Sequence, residues 1–347
     1  MRAALVTHPD YVNHLTGSDH PESPARVRAV LGAIESSDLA SALVRLSPDP
    51  LSVEQLATVH ARGYLVHLEA LARSGGGSLD PDTVVSPASF EVARLAAGGA
   101  VTATAAVLDG RVQCAFAVVR PPGHHATTAA GMGFCLLNNA ALAARRAAAE
   151  HGLSRIFLID WDVHHGNGTQ EIFYRDRTVL YLSLHQENWY PGTGAWAEVG
   201  EGEGEGFTIN IPLPAETGDE GYRLLFEEVV VPLGRCFGPE LTIISAGYDA
   251  HFADPLGGMR VTAAGFRALT ELVLMANASS QGRVVGVLEG GYNLLHLPHA
   301  VLGTLEAFTG TRVTTREERV TLSEAPYHAL RERARRARSI VHTHWNI

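Results

Sequence analysis

The chain has 347 residues, 46% hydrophobic and 18% charged, which excludes a disordered or coiled-coil protein and is long enough to bury a large core. Its formal net charge of −10 argues against a general nucleic-acid binder, since affinity for phosphate backbones comes from clustered cations. All 27 basic residues are arginine, and lysine is absent.

In chain order, the pattern predicts a strand at Ala4–His8 and helices at Ser23–Glu35, Tyr64–Ala72 and Ser89–Leu108. A strand at Cys114–Arg120 and a helix at Leu137–His151 follow. Strands at Arg155–Asp162, Val179–His185 and Phe207–Pro212 lead to a helix at Tyr222–Cys236. The last elements are a strand at Leu241–Tyr248, a helix at Thr262–Ala278, a strand at Val284–Glu289, and helices at Leu294–Phe308 and Tyr327–Ile340. Near-continuous apolar strands alternating with helices imply an α/β fold with a parallel sheet covered on both faces. The alternating glycines and glutamates of 200–206 read as a solvated, flexible hairpin, and the Arg-rich stretch Arg331–Arg338 as a solvated helix face. No apolar run approaches membrane-spanning length, and no secretory signal is expected at the N-terminus. Three widely spaced cysteines, Cys114, Cys135 and Cys236, read as reduced thiols of a cytoplasmic protein.

Ligand sites in parallel sheets lie beyond the carboxyl ends of the strands, so polar residues there carry the argument. The predicted strand Arg155–Asp162 ends in Asp160-Trp161-Asp162-Val163-His164. In an extended chain, period two puts Asp160, Asp162 and His164 on one side. Two adjacent buried carboxylates repel unless a cation lies between them. Asp249 follows another apolar strand and supplies a third ligand, giving an open site suited to zinc, manganese or iron. Asp254, before a proline, reads as a turn or cap. His124 and His125 follow the rigid Arg120-Pro121-Pro122-Gly123 turn and are acid/base candidates; Asp160 could hold one imidazole and Asn167 the other. Tyr292, after Gly290-Gly291, offers a phenolic donor to a developing oxyanion.

Together, Arg120–His125, Gly133-Phe134-Cys135, Asp160–Gln170, Ser245–Asp249, Leu288–Asn293 and the His20–Arg26 loop resemble the histone deacetylase and acetylpolyamine amidohydrolase superfamily, most closely its class II branch. The resemblance implies a single domain over 1–347 in the arginase/deacetylase fold, three-layered around an eight-stranded parallel sheet, with 310–347 as an extension carrying the Arg-rich helix. It implies Zn²⁺ held by Asp162, His164 and Asp249. It also implies a structural K⁺ held by Asp160, Asp162, the Ser183 hydroxyl and backbone oxygens including those of His164 and Leu184. By the same resemblance His125 is the general base and acid. His124, backed by Asp160, is its electrostatic partner, and Tyr292 polarises the amide carbonyl. Asn167 behind His125 is the class II choice. Gly133, Phe134, Tyr190, Leu256, Gly290, Gly291 and Asp82 are the implied substrate-binding positions, with Tyr190 standing where phenylalanine is usual.

The implied reaction is removal of acetyl or other acyl groups from lysine side chains of proteins or peptides. Acetylated polyamines are the alternative. Polyamine-selective relatives carry a glutamate where this chain has Leu256, and a long insertion where only Ala126–Met132 separates His125 from Gly133. A non-catalytic binder is disfavoured because all the catalytic positions are filled. A ureohydrolase of the arginase type is disfavoured because two manganese ions need more carboxylates. Neither nucleic acid nor membrane is an expected partner, and an oligomer is compatible with the sequence.

Overall fold

A computed structural model describes residues 2–277, 282–313 and 323–347. Its central sheet has eight strands: β1 (Ala3–Val6), β2 (Leu43–Leu46), β3 (Cys114–Ala117), β4 (Ile156–Asp160), β5 (Val179–Gln186), β6 (Thr208–Leu213), β7 (Leu241–Ala246) and β8 (Val284–Leu288). They lie in the order β2-β1-β3-β8-β7-β4-β5-β6, every neighbouring pair parallel. This is the arginase/deacetylase-type α/β arrangement. Seven strands coincide with predicted ones because they are buried along their whole length and read as unbroken apolar runs. The edge strand β2 was not predicted. It has four residues, of which only Leu43 is buried, and Arg45 faces solvent.

One face of the sheet is covered by the helices Arg62–Arg73, Ser89–Leu108 and Asn139–His151. The other carries Pro24–Glu35, the continuous helical run from Asp219 to Phe237, Ala263–Ala276, Leu297–Thr309 and Tyr327–His344. The predicted Thr262–Ala278 helix begins one residue late because Thr262 is its N-cap, accepting from the Gly265 N–H at 3.0 Å; Ala278 lies outside the described residues. Ser89–Leu108 corrects the expectation about apolar runs, being long and apolar enough to cross a membrane. Two thirds of it (67%) is buried against β1, β3, β8 and the Asn139–His151 helix, as befits a core helix.

Two surface segments expected to be solvated are so on one side and anchored on the other. In the 200–206 stretch residues 201–203 and 205 are solvated, but Gly204 is buried so closely against Tyr174 that a Cβ would lie 2.5 Å from the Tyr174 carbonyl oxygen. The Arg-rich helix buries Leu330, Ala334, Ala337 and Val341 on β6 and the Asp219–Phe237 run, while Arg331 and Arg333 pair with Glu228 and Glu187. Its apolar residues recur at helical spacing between the arginines.

The loops at the carboxyl edge are tied together by one buried ionic cluster. Glu22 accepts from Arg120 Nε (2.8 Å) and a terminal nitrogen (2.9 Å), and from Arg26 at 3.1 Å. Arg120 also donates to the backbone oxygens of Tyr11 and His14, and Arg26 to that of Gly291. Burial alone would raise the Glu22 carboxyl, but the two guanidinium groups hold it below the usual range. Removing the shared carboxylate strands two buried cations, which costs about 3–5 kcal/mol. Glu22→Gln should therefore lower the melting temperature by roughly 5–10 °C. Circular dichroism melts check this, and an unchanged midpoint would show that the cluster contributes nothing to stability.

Candidate active site

The site is assembled where β3, β4, β5, β7 and β8 release the chain. β4 stops at Asp160, earlier than predicted. The next residues converge by two successive side-chain turns rather than by strand pleat: the Asp162 N–H donates to Asp160 Oδ1 (3.2 Å), and the His164 N–H donates to Asp162 Oδ1 (3.0 Å). The period-two argument for Asp160, Asp162 and His164 is thus corrected. Asp160 turns toward His124, and only Asp162 and His164 reach the cluster that Asp249 completes.

In that cluster, ligand atoms of Asp162, His164 and Asp249 all lie within 4.8 Å of one another, and all three residues are buried. His164 Nδ1 stands 3.1 Å from both Asp162 Oδ1 and Asp249 Oδ2. One ring nitrogen has at most one hydrogen to give, so it cannot serve both carboxylates, although Asp162 Oδ1 also accepts the His164 backbone N–H. Their remaining oxygens are oriented by backbone N–H groups, of Gly290 to Asp162 Oδ2 (2.9 Å) and of Val163 to Asp249 Oδ1 (2.8 Å). Burial and the Asp162 charge push Asp249 up to about 7. Two carboxylates and one imidazole facing one point fit a divalent cation such as zinc. Gly290 keeps that point clear, since a Cβ there would lie 2.1 Å from Asp249 Oδ2.

The two catalytic histidine candidates stand with ring centroids 4.0 Å apart, in opposite environments. His124 Nδ1–H donates to Asp160 Oδ2 (3.1 Å). Burial disfavours its charge, but Asp162, Asp160 and Glu289 prevail and bring it up to about 10. His125 Nδ1–H donates to Asn167 Oδ1 (2.8 Å), leaving Nε2 as the acceptor. Burial, then repulsion from His124 and His164, holds His125 well below its ordinary value.

A cleft of about 270 Å³ leads to this constellation, with His125, His164 and Tyr292 among the residues lining it. Gly133, Phe134, Tyr190, Leu256 and Asp82 line it as well. Phe134 is held in the left-handed region (φ 67°), where a bulky residue is strained; its N–H donates to Thr83 Oγ1 at 3.1 Å and its ring meets His20 edge-on. Gly290 and Gly291 are not among the residues lining the cleft. Gly290 serves the cluster, and Gly291 (φ +115°) gives its carbonyl to Arg26. Ser183 and Leu184 are buried in β5; Ser183 pairs in register with Asp160, and its hydroxyl lies 2.9 Å from His185 Nδ1.

Four residues given no catalytic or binding role in the sequence reading complete the site. Glu289 accepts the N–H groups of Gly123 (2.6 Å) and His124 (3.1 Å), fixing the double-histidine turn; burial pushes it up to about 7. A carboxylate directly after the all-apolar β8 was the available signal. Arg26 packs against the Tyr292 ring, 4.9 Å from its centroid. Trp189 lines the cleft and donates its indole N–H to the Leu256 carbonyl at 2.9 Å. Asp254 does make the expected turn, accepting from the Leu256 N–H (3.0 Å). It also clamps the tyrosine loop through the N–H groups of Tyr292 (2.6 Å) and Asn293 (3.3 Å).

Comparison with known proteins agrees with this geometry. A model of the histone deacetylase domain matches residues 20–308. A "probable deacetylase" of Archaeoglobus fulgidus is 42% identical over 314 residues, covering 89% of this chain and 87% of that protein. A "histone deacetylase-like amidohydrolase" of Pseudomonas aeruginosa is 40% identical over 309 residues, 88% of this chain and 81% of that one. A crystal structure of the HDA15 HD domain superposes with a TM-score of 0.90 at 34% identity, covering 99% of this chain and 96% of that one. On its fold, its site and these matches, the chain belongs to the histone deacetylase family.

Proposed function

We propose that this protein is a zinc-dependent, class II-like deacylase that hydrolyses acetyl or related acyl amides on lysine side chains. One observation carries the reading. An acceptor nitrogen of neutral His125, the Tyr292 phenol and the Asp162–His164–Asp249 cluster meet in a cleft walled by Phe134 and Tyr190. Aromatic walls suit the aliphatic stem of an acyl-lysine. Bound by the cluster, zinc would supply Lewis-acid polarisation of the amide carbonyl and a water more easily deprotonated than bulk water. His125 Nε2 takes the proton from the attacking water and returns it to the departing amine. Asn167 keeps that nitrogen in the accepting tautomer and is the feature that favours class II. His124, held charged by Asp160, balances the anionic surroundings. The Tyr292 phenol donates to the carbonyl oxygen as negative charge builds there.

The same reading assigns a structural K⁺ to Asp160, Asp162, Ser183 and the backbone oxygens of His164 and Leu184, supported by the pairing of Asp160 with Ser183 on adjacent buried strands. A cytoplasmic location is part of the proposal, supported by three free cysteines. Lysine is favoured over polyamine because Leu256 and Pro255 line the cleft, where Asp82 is the single carboxylate among the lining residues. A polyamine brings further ammonium groups that call for more.

Kinetics on acetyl-lysine peptide beside acetylspermidine and acetylputrescine test the proposal. The peptide should have the higher kcat/KM, and a clear preference for acetylspermidine would reverse the substrate assignment. Asp249→Ala should lose metal by elemental analysis; a fully loaded variant removes Asp249 from the ligand set. Tyr292→Phe should keep its metal and lose on the order of 10²–10³ in kcat. Among variants matched for zinc content, His125→Ala should be slower than His124→Ala, because both proton transfers pass through His125. The opposite ranking would exchange their roles.

A further inference from the structure

Trp189 lines two cavities. The first is the substrate cleft; the second, of about 600 Å³, lies between the loop following β5 and the Tyr327–His344 helix. The ring is 42% exposed and tethered by its N–H to Leu256, so it forms a fixed wall between rim and neighbouring cavity. Asp82 supplies the only carboxylate among the residues lining the first cavity, whereas the second has a cationic lining.

Two arginines, Arg333 and Arg336, face one carboxylate there, Glu187. Arg333 gives one terminal nitrogen to Glu187 at 2.6 Å, while its buried Nε has no hydrogen-bond partner. Arg336 lies 4.8 Å over the Trp196 ring and has no carboxylate of its own among the residues lining the cavity. A guanidinium resting on an indole is oriented in advance, with its N–H edge available to a planar carboxylate. The lining therefore keeps an uncompensated positive charge on a chain whose net charge is −10. The mouth of the site is polarised, negative at Asp82 and positive beyond Trp189.

We infer that the Arg333–Arg336 cavity is a specificity subsite that receives an acidic side chain of the substrate, a glutamate or aspartate a few positions from the acyl-lysine. The inference rests on the acyl-lysine reading above and narrows it to peptides with an acidic flank on one side. The carboxylate completes the unpaired guanidinium and leaves the Arg333–Glu187 pair in place. Because the subsite is open to solvent, the selection is modest and weakens with salt.

The test uses the full chain and a set of acetyl-lysine peptides in which one glutamate is moved through the positions on each side of the lysine. The readout is the ratio of kcat/KM for each glutamate peptide to that of the alanine peptide. On one side of the lysine the ratio should rise by roughly two- to fivefold, mainly through KM, and fall back at high salt. Arg336→Gln should bring the ratio close to one, Arg336→Lys should restore part of it, and Arg336→Glu should favour an arginine in place of the glutamate. Turnover with a flat glutamate scan overturns the subsite and leaves the deacylase reading standing. Absence of turnover on every acetyl-lysine peptide overturns that reading and the subsite with it. A glutamate preference that survives Arg333→Gln and Arg336→Gln combined also overturns the subsite.

Discussion

Buried negative charge at one edge of the sheet is the constraint that organises this molecule. Asp160, Asp162, Asp249, Asp254 and Glu289 are all buried there, where an uncompensated carboxylate costs several kcal/mol. Asp254 and Glu289 are served by backbone N–H groups of loops from other strands. Asp160 is served by His124 and the Tyr181 hydroxyl. Asp162 and Asp249 keep one oxygen each directed at His164, and that residual demand for positive charge is what suits the edge to hold a metal ion.

The same demand explains how two adjacent histidines acquire different chemistry. His124 lies 3.7 Å from Asp162 through one ring nitrogen and 3.1 Å from Asp160 through the other, so it is drawn into the anionic network as a cation. His125, one residue on, meets a neutral amide, and burial together with the positive charge of His124 suppresses its own charge. A pair of titratable groups pushed apart by their surroundings is the usual basis for separate catalytic roles. Here the separation is achieved by giving one ring a carboxylate and the other Asn167.

Much of this was legible in the sequence because burial writes itself as apolar runs. Seven strands and the loop positions of Asp162, His124, His125, Asp249 and Tyr292 follow from polar residues placed directly after such runs. What stayed hidden depends on contacts between distant segments. β2 is too short and too polar on one face to announce itself. Glu22 and Arg120 meet across a separation of 98 residues, and nothing in either local sequence marks the partner. Nothing in the local sequence of Trp189 marks that its N–H reaches Leu256, 67 residues on. The convergence of Asp162 and His164 was inferred by the wrong geometry, since side-chain turns take over where the strand ends.

The loops that carry the chemistry are therefore held by polar contacts, whereas the sheet beneath them is held by apolar packing. Arg26 touches the Tyr292 ring, the Gly291 carbonyl and Glu22, and Glu22 holds Arg120 before the double-histidine turn, so Tyr292 and that turn are positioned from one ionic cluster. Asp254 couples the same tyrosine loop to Leu256, and Leu256 to Trp189 at the rim. A displacement at the rim thus has a short path of hydrogen bonds to the backbone of Tyr292. Hydrogen bonds are directional and weaken steeply with misalignment, so this path fixes position more tightly than dispersion contacts of similar total energy. That is the physical reason for building the floor of the site from leucine and valine and its loops from arginine, aspartate and backbone amides.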